Sequence, residues 1–213
     1  MRAVVLILIT ACTVPPPFHV LETAETLRAR QVALTAGAGG GTGDVDDCCV
    51  GAAARVRVGI GHDQEVGIDG NVLAAKNDTV GGIKLAYKLR PREGVALVAG
   101  PGFMVGGDTG ERNALGGDVG AIVSTSAGGS ASVYGALKLA VAVPLRDDIY
   151  ELGGVSESLV PALGIAYRLG PQLQLFGEAG GIGSLSQSRD IDKMVDSHTA
   201  LGWYGAIAVT FAP

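Results

Sequence analysis

Between Arg55 and Asp69 the chain reads RVRVGIGHDQEVGID, with aliphatics at alternate positions and charges or glycines between them. A period of two marks an extended strand whose two faces differ chemically, because successive side chains point to opposite sides. The alternation recurs along the chain in segments of about 8–12 residues separated by Gly, Asp, Ser and Pro clusters. Helical periodicity is not sustained beyond the first residues and a short patch from Val20 to Arg30. Ten strands are predicted, at 31–38, 52–61, 65–74, 80–89, 95–105, 117–125, 132–143, 158–169, 173–183 and 201–211. The fold class is all-β.

A three-residue turn from His62 to Gln64 sets Gly61 opposite Glu65 and Arg57 opposite Asp69. The next connection sets Asp69 opposite Lys84 and Glu65 opposite Lys88. Arg55, Arg57, Glu65, Asp69, Lys84 and Lys88 then share one face and alternate in sign between neighbouring strands, while Val56, Ile68, Leu85 and their neighbours take the other. Opposite charges across a strand pair stabilise by a fraction of a kcal/mol, and like charges repel. These three strands alone fit a soluble sandwich equally well, with the charged face in water. Strands 132–143 and 158–169 are different: opposite their aliphatics lie mostly Gly and Ala, with Lys138 and Arg168 as single charges. Small residues make a poor solvent face and a good lining for a narrow lumen, where they leave room for a few long side chains. Glu178 falls on the same inner face. Charges enclosed there must be mutually paired, since an unpaired buried charge is very costly.

The connections alternate in length, short at His62–Gln64, Arg90–Gly94, Ser126–Ala131 and Gly170–Gln172, and long at Gly39–Gly51, Gly106–Gly116, Pro144–Glu157 and Ser184–Ala200. An even strand count with short turns at one end and long loops at the other points to a closed antiparallel up-and-down transmembrane β-barrel of about ten strands, eight being the alternative count. The long connections, with the short Ala75–Thr79 on the same side, hold 13 of the 21 acidic residues, which suits a water-facing surface. Tyr87, Tyr167 and Phe211 fall towards the short-turn end and Phe103 and Trp203 towards the other, as two thin interfacial girdles. Pro101 and Pro161, on the outer face, each lack a ladder donor and are expected to mark bulges. The net charge of −5, with no basic cluster, argues against a nucleic-acid partner.

The N-terminus MRAVVLILITAC has one Arg, an apolar stretch and small residues before Cys12, and resembles the lipobox of bacterial lipoproteins. That resemblance implies a lipoprotein-type signal over 1–11, lipidation of Cys12, a periplasmic tether over 12–30 that begins with the stiff Pro15-Pro16-Pro17, and a barrel over 31–213. Adjacent Cys48 and Cys49 suit a strained loop disulfide or two thiols better than a metal site.

The segment Trp203–Phe211, an amphipathic strand with a glycine and a near-terminal Phe, together with GIAYRLGP (164–171) and LQLFGEAG (173–180), resembles the small outer-membrane β-barrel proteins of Gram-negative bacteria. The resemblance implies residence in the outer membrane, with outer-membrane lipids and the barrel-insertion machinery as partners. The expected role is structural or surface-interacting, with a charge-filled lumen. A small-solute pore is the alternative, followed by a soluble lipid-anchored barrel or sandwich binding module and by an outer-membrane hydrolase using Asp190, Asp192, Asp196, Ser197 and His198. The glycine-rich GAGGGTG (37–43) lacks the Lys-Ser/Thr and helix of a phosphate loop. No catalytic residue, cofactor or metal is expected, although the acidic loops suit a cation bridging to lipopolysaccharide phosphates.

Overall fold

The computed structural model describes residues 20–42, 48–75, 78–106, 113–145, 156–190 and 193–213. Ten antiparallel strands follow one another around a closed barrel: β1 Val32–Thr42, β2 Cys48–Gly61, β3 Gln64–Ala75, β4 Asp78–Arg92, β5 Val95–Gly106, β6 Ala114–Gly128, β7 Ala131–Pro144, β8 Ser156–Arg168, β9 Leu173–Asp190 and β10 Lys193–Phe211. Each strand pairs with its sequence neighbour, and β1 closes the ring against β10, from Leu34 opposite Phe211 to Thr42 opposite Trp203. No helix occurs among the described residues, and Val20–Arg30 is irregular. Closure leaves no unpaired strand edge.

The two faces of every strand separate as the alternation requires. Outside lie Val56, Ile68, Leu85, Leu97, Val119, Leu137, Leu163 and Ile207, all exposed, among many other large aliphatics. Inside, the charged and small residues are buried. The charged face is therefore the enclosed one, the reverse of a soluble sandwich. An apolar band of this extent running around a whole barrel has a favourable neighbour only in hydrocarbon. Tyr87, Tyr167 and Phe211 are exposed towards the short-turn end and Trp203 towards the other, while Phe103 is half-exposed on the outer face.

Three local expectations change. The first hairpin turns on two residues, His62 and Asp63, with φ of 50° and 62°, which matches the right-handed twist of the flanking strands. An irregularity between Gly59 and Gly61 shifts the ladder, so Asp69 faces Arg55 rather than Arg57. Both arginines keep the inner parity. Pro101 and Pro161 form no bulge: pairing lapses beside them on one side, between Lys84–Gly102 and Tyr87–Ala99 and between Leu159–Gly183 and Ala162–Gly180, with the register unchanged. Nor is 184–200 a long loop. β8 and β9 last pair at Ser156–Ser186 and β1 and β10 at Thr42–Trp203, beyond which β9 and β10 pair only with each other as a ribbon.

Ile68 lies in the middle of β3 on the outer face, between Val56 and Leu85. Replacing it with Arg is expected to destabilise the folded protein in lipid vesicles by about 2–4 kcal/mol, read from urea unfolding. An equal cost in detergent-free buffer would show that lipid is not what the face meets.

Candidate functional site

The inner face of β2–β4 carries six buried charges, and the register brings them together. Asp69 is 1% exposed and lies opposite Arg55 on β2 and Lys84 on β4. Arg55 donates to it from Nε at 3.1 Å, Arg57 reaches it diagonally with both Nη atoms (Nη2 at 3.0 Å), and Lys84 Nζ stands 3.6 Å away. Lys84 also crosses β5 to donate to Asp118 of β6 at 2.7 Å, and Lys138 of β7 approaches Asp118 at 3.8 Å. The inner face of β5 has Gly100 and Gly102 at this level, which leaves the path clear. A ladder of alternating charge thus runs around half the wall. Nearer the short turns, Lys88 faces Glu65 at 3.9 Å.

On the far side Glu178 of β9 is buried and held by two tyrosines. The hydroxyls of Tyr134 and Tyr204 donate to its two oxygens at 2.8 and 2.9 Å. Their rings fit because glycines stand beneath them: a Cβ at Gly164 would lie 2.2 Å from Tyr134 Cζ, and one at Gly180 2.6 Å from the Tyr204 ring.

Residues expected to form part of a periplasmic tether join the two sides. Val20–Ala24 are buried inside the barrel, so this part of the 12–30 segment is lodged in the lumen rather than hanging free. The lumen holds it largely by its backbone. The N–H groups of Val20 and Leu21 both donate to Glu178, at 2.8 and 2.7 Å, the Ala24 N–H donates to Ser124 Oγ at 3.1 Å, and the Leu27 N–H donates to Glu65. Arg55 donates to the Val20 carbonyl at 2.7 Å and Lys88 to the Glu25 carbonyl at 2.6 Å. Leu21 adopts φ of 41°, a left-handed conformation costing a leucine on the order of 1–2 kcal/mol, offset here by two consecutive amides meeting one carboxylate. The chain then reverses at Ala29–Arg30, where the Arg30 N–H donates to the Gly59 carbonyl at 2.7 Å, and enters β1 from the short-turn end.

Within this segment Glu22 faces three cations: Lys88 at 3.5 Å, Arg55 at 3.6 Å and Arg57 at 3.9 Å. Burial alone would raise its carboxyl, but Arg55, Lys88 and Arg57 together outweigh it and hold the pKa down to about 2 from an ordinary 4.5. A cavity of about 210 Å³ lies beside Glu22, lined by the same cations and by residues of the short-turn mouth such as Gln172 and Ala212. Towards the long-loop end the interior becomes apolar, with Val80, Met104, Ala114 and Ala142 packed together.

Of the expected lumen residues, Arg55, Arg57, Glu65, Asp69, Lys84, Lys88 and Lys138 stand within one connected set, and Glu178 anchors the opposite wall. Arg168 does not join them. It ends β8 at the rim, 55% exposed, and meets Glu25 at 3.2 Å in a solvated pair. Asp118, Tyr134, Tyr204, Ser124 and Glu22 were not anticipated; the parity of β6, β7 and β10 marks the first three as inward. Cys12 lies outside the described residues, as do Ile191 and Asp192. Asp190, Asp196, Ser197 and His198 lie on the β9–β10 ribbon, their side chains outside the described set. No group of His, Cys, Asp or Glu suited to a metal ion occurs among the described residues.

No protein-family model and no curated protein matches the chain. Solved structures do. The outer membrane protease OmpT of Escherichia coli superposes with a TM-score of 0.52 at 9% identity, over 90% of this chain and all of that one. An outer-membrane channel of Pseudomonas putida F1 follows at 0.47 and 11% identity, over 87% and 97% of the two chains. The outer membrane protein OprG of Pseudomonas aeruginosa reaches 0.39 at 9% identity, over 90% and 99%. The structural neighbours are outer-membrane β-barrels of Gram-negative bacteria; at such identities the likeness is one of fold.

Two outcomes follow from the lumen geometry. Replacing Asp69 with Ala strands Arg55 and Arg57 and is expected to destabilise the barrel by about 3–5 kcal/mol in urea unfolding from micelles, whereas Arg168→Ala at the rim costs about 1 kcal/mol or less. The pKa of Glu22 is lowered on folding, so its share of the docking energy is fully present above pH 4.5 and is lost as pH falls through about 2. Pepsin is expected to spare residues 20–27 near pH 4.5 and to cut them at pH of about 2 and below, read by mass spectrometry.

Proposed function

We propose that this chain is a bacterial outer-membrane β-barrel whose lumen is closed by its own N-terminal segment, and that its role is structural or surface-interacting. The observation that carries the reading is the lodged segment: Val20–Leu27 fills the passage between the Asp69 ladder and Glu178, held by six hydrogen bonds to its main chain. The continuous aliphatic band supports residence in a bilayer, and the likeness of fold to outer-membrane barrels supports the outer membrane as that bilayer. In this orientation the short turns face the periplasm and the long connections and the β9–β10 ribbon face outward. The ribbon is then the surface best placed to meet a partner, because it stands clear of the wall.

A small-solute pore is the second reading, favoured by one observation: the segment is docked by hydrogen bonds and ion pairs beside a cavity that reaches the short-turn mouth. The apolar wall formed by Val80, Met104, Ala114 and Ala142 towards the opposite end offers a passing polar solute no hydrogen-bonding partner, which supports the closed reading.

The protein extracted in detergent is expected to migrate differently before and after boiling and to stay with the membrane through a carbonate wash. Release by carbonate without a gel shift would overturn the barrel reading. In planar bilayers the full chain is expected to insert without stepwise conductance, and steady open-channel currents from the unmodified protein would favour the pore.

A further inference from the structure

The lumen wall is not neutral by itself. Five buried cations, Arg55, Arg57, Lys84, Lys88 and Lys138, face four buried wall carboxylates, Glu65, Asp69, Asp118 and Glu178, and the fifth carboxylate is Glu22 of the lodged segment. Asp69 is gripped by direct hydrogen bonds, with Arg55 at 3.1 Å and Arg57 at 3.0 Å. Glu22 is not: its contacts with Lys88, Arg55 and Arg57 are all 3.5 Å or longer. A carboxylate therefore sits without a direct hydrogen bond among three buried cations. The cavity of about 210 Å³ adjoins the same three cations and carries neutral hydrogen-bonding side chains, Gln31, Thr35, Gln174 and Thr210. That is room for a small polar solute next to the cup, reached from the short-turn mouth.

We propose that the cup formed by Arg55, Arg57 and Lys88 is a binding site for small carboxylate anions, occupied in cis by the side chain of Glu22. The proposal rests on the reading of the chain as a plugged barrel and adds a ligand class to it. The class follows from the chemistry of the occupant: the cup already holds a carboxylate, and a soluble one arriving through the cavity satisfies the same charge requirement. Binding exchanges one carboxylate for another against the three cations, and the cavity towards the short-turn mouth gives the displaced Glu22 carboxylate access to water. The backbone clamps at Glu178 and Glu65 do not involve the Glu22 side chain, so Glu22 can leave the cup while the segment stays moored at both ends.

The test is calorimetric titration of succinate, with neutral succinamide as control, into the detergent-solubilised full chain and its Glu22→Gln variant. Glu22→Gln removes the internal competitor and keeps its shape. It is expected to bind succinate at least about tenfold more tightly than the unmodified protein, to ignore succinamide, and to lose succinate binding when Lys88→Gln is added. A Glu22→Gln protein that keeps its gel shift on boiling and yet binds no succinate overturns the proposal. Should that variant not fold, hydrogen exchange of the unmodified protein decides. Faster exchange of the amides of residues 22–26, between the two moorings, in succinate but not in succinamide supports the site, and identical exchange overturns it. A failed gel shift or carbonate release in the unmodified protein sinks the barrel reading instead, so the two failures are distinguishable.

Discussion

The structure turns on how charge is enclosed. Ten strands bent into a ring enclose a lumen too narrow to leave its lining fully in water, and five basic side chains point into it. Each would be prohibitively expensive there without a partner. Asp69 meets most of the demand, touching Arg55, Arg57 and Lys84, and Asp118 extends the arrangement to Lys138. The inner faces of β1, β5 and β8 supply glycines and alanines that make room for these long side chains. The outward aliphatics follow from the same alternation, since a strand that commits its odd residues to the lumen commits its even ones to the other side.

Much of this was legible in the order of residues, for a physical reason. Facing is set by parity, and parity survives an error of two residues in a turn. The reading of the first hairpin put Arg57 opposite Asp69, and the ladder has Arg55 there. Both arginines nonetheless point inward and both bond to Asp69. The pairings of Asp69 with Lys84 and of Glu65 with Lys88 came out directly, because the β3–β4 ladder has no register shift. The β9–β10 ribbon was read as a loop because it leaves the wall. With no lipid face to satisfy, Ser184–Ala200 has no aliphatic alternation to show, and its polar composition mimics a connection.

The lodged segment was illegible for a different reason. The lumen grips it through N–H and C=O groups that every residue possesses, so no side-chain pattern announces the contact. Only Glu22 carries a signal, and a lone acid in an apparent tether signals little. Tyr134 and Tyr204 were equally quiet, because a tyrosine on a strand is ordinary until the glycine beneath it is known. Arg168 shows the limit of parity itself. It has the inward phase, but it is the last residue of β8, and a side chain at the rim finds water before it finds the ladder.

The clamp on Val20 spans 158 residues of chain, since its carboxylate belongs to the ninth strand and one of the supporting tyrosines to the tenth. The earliest described residues are therefore secured by the latest ones to be synthesised. Loop closure over such a separation is among the slowest contacts a chain makes, and it arrives after the local hairpins have formed. The seam between β1 and β10, where Thr35 and Thr210 meet at 2.6 Å, joins the same two ends of the chain. A barrel that closed without the segment would enclose, among the described residues, five cations against four carboxylates.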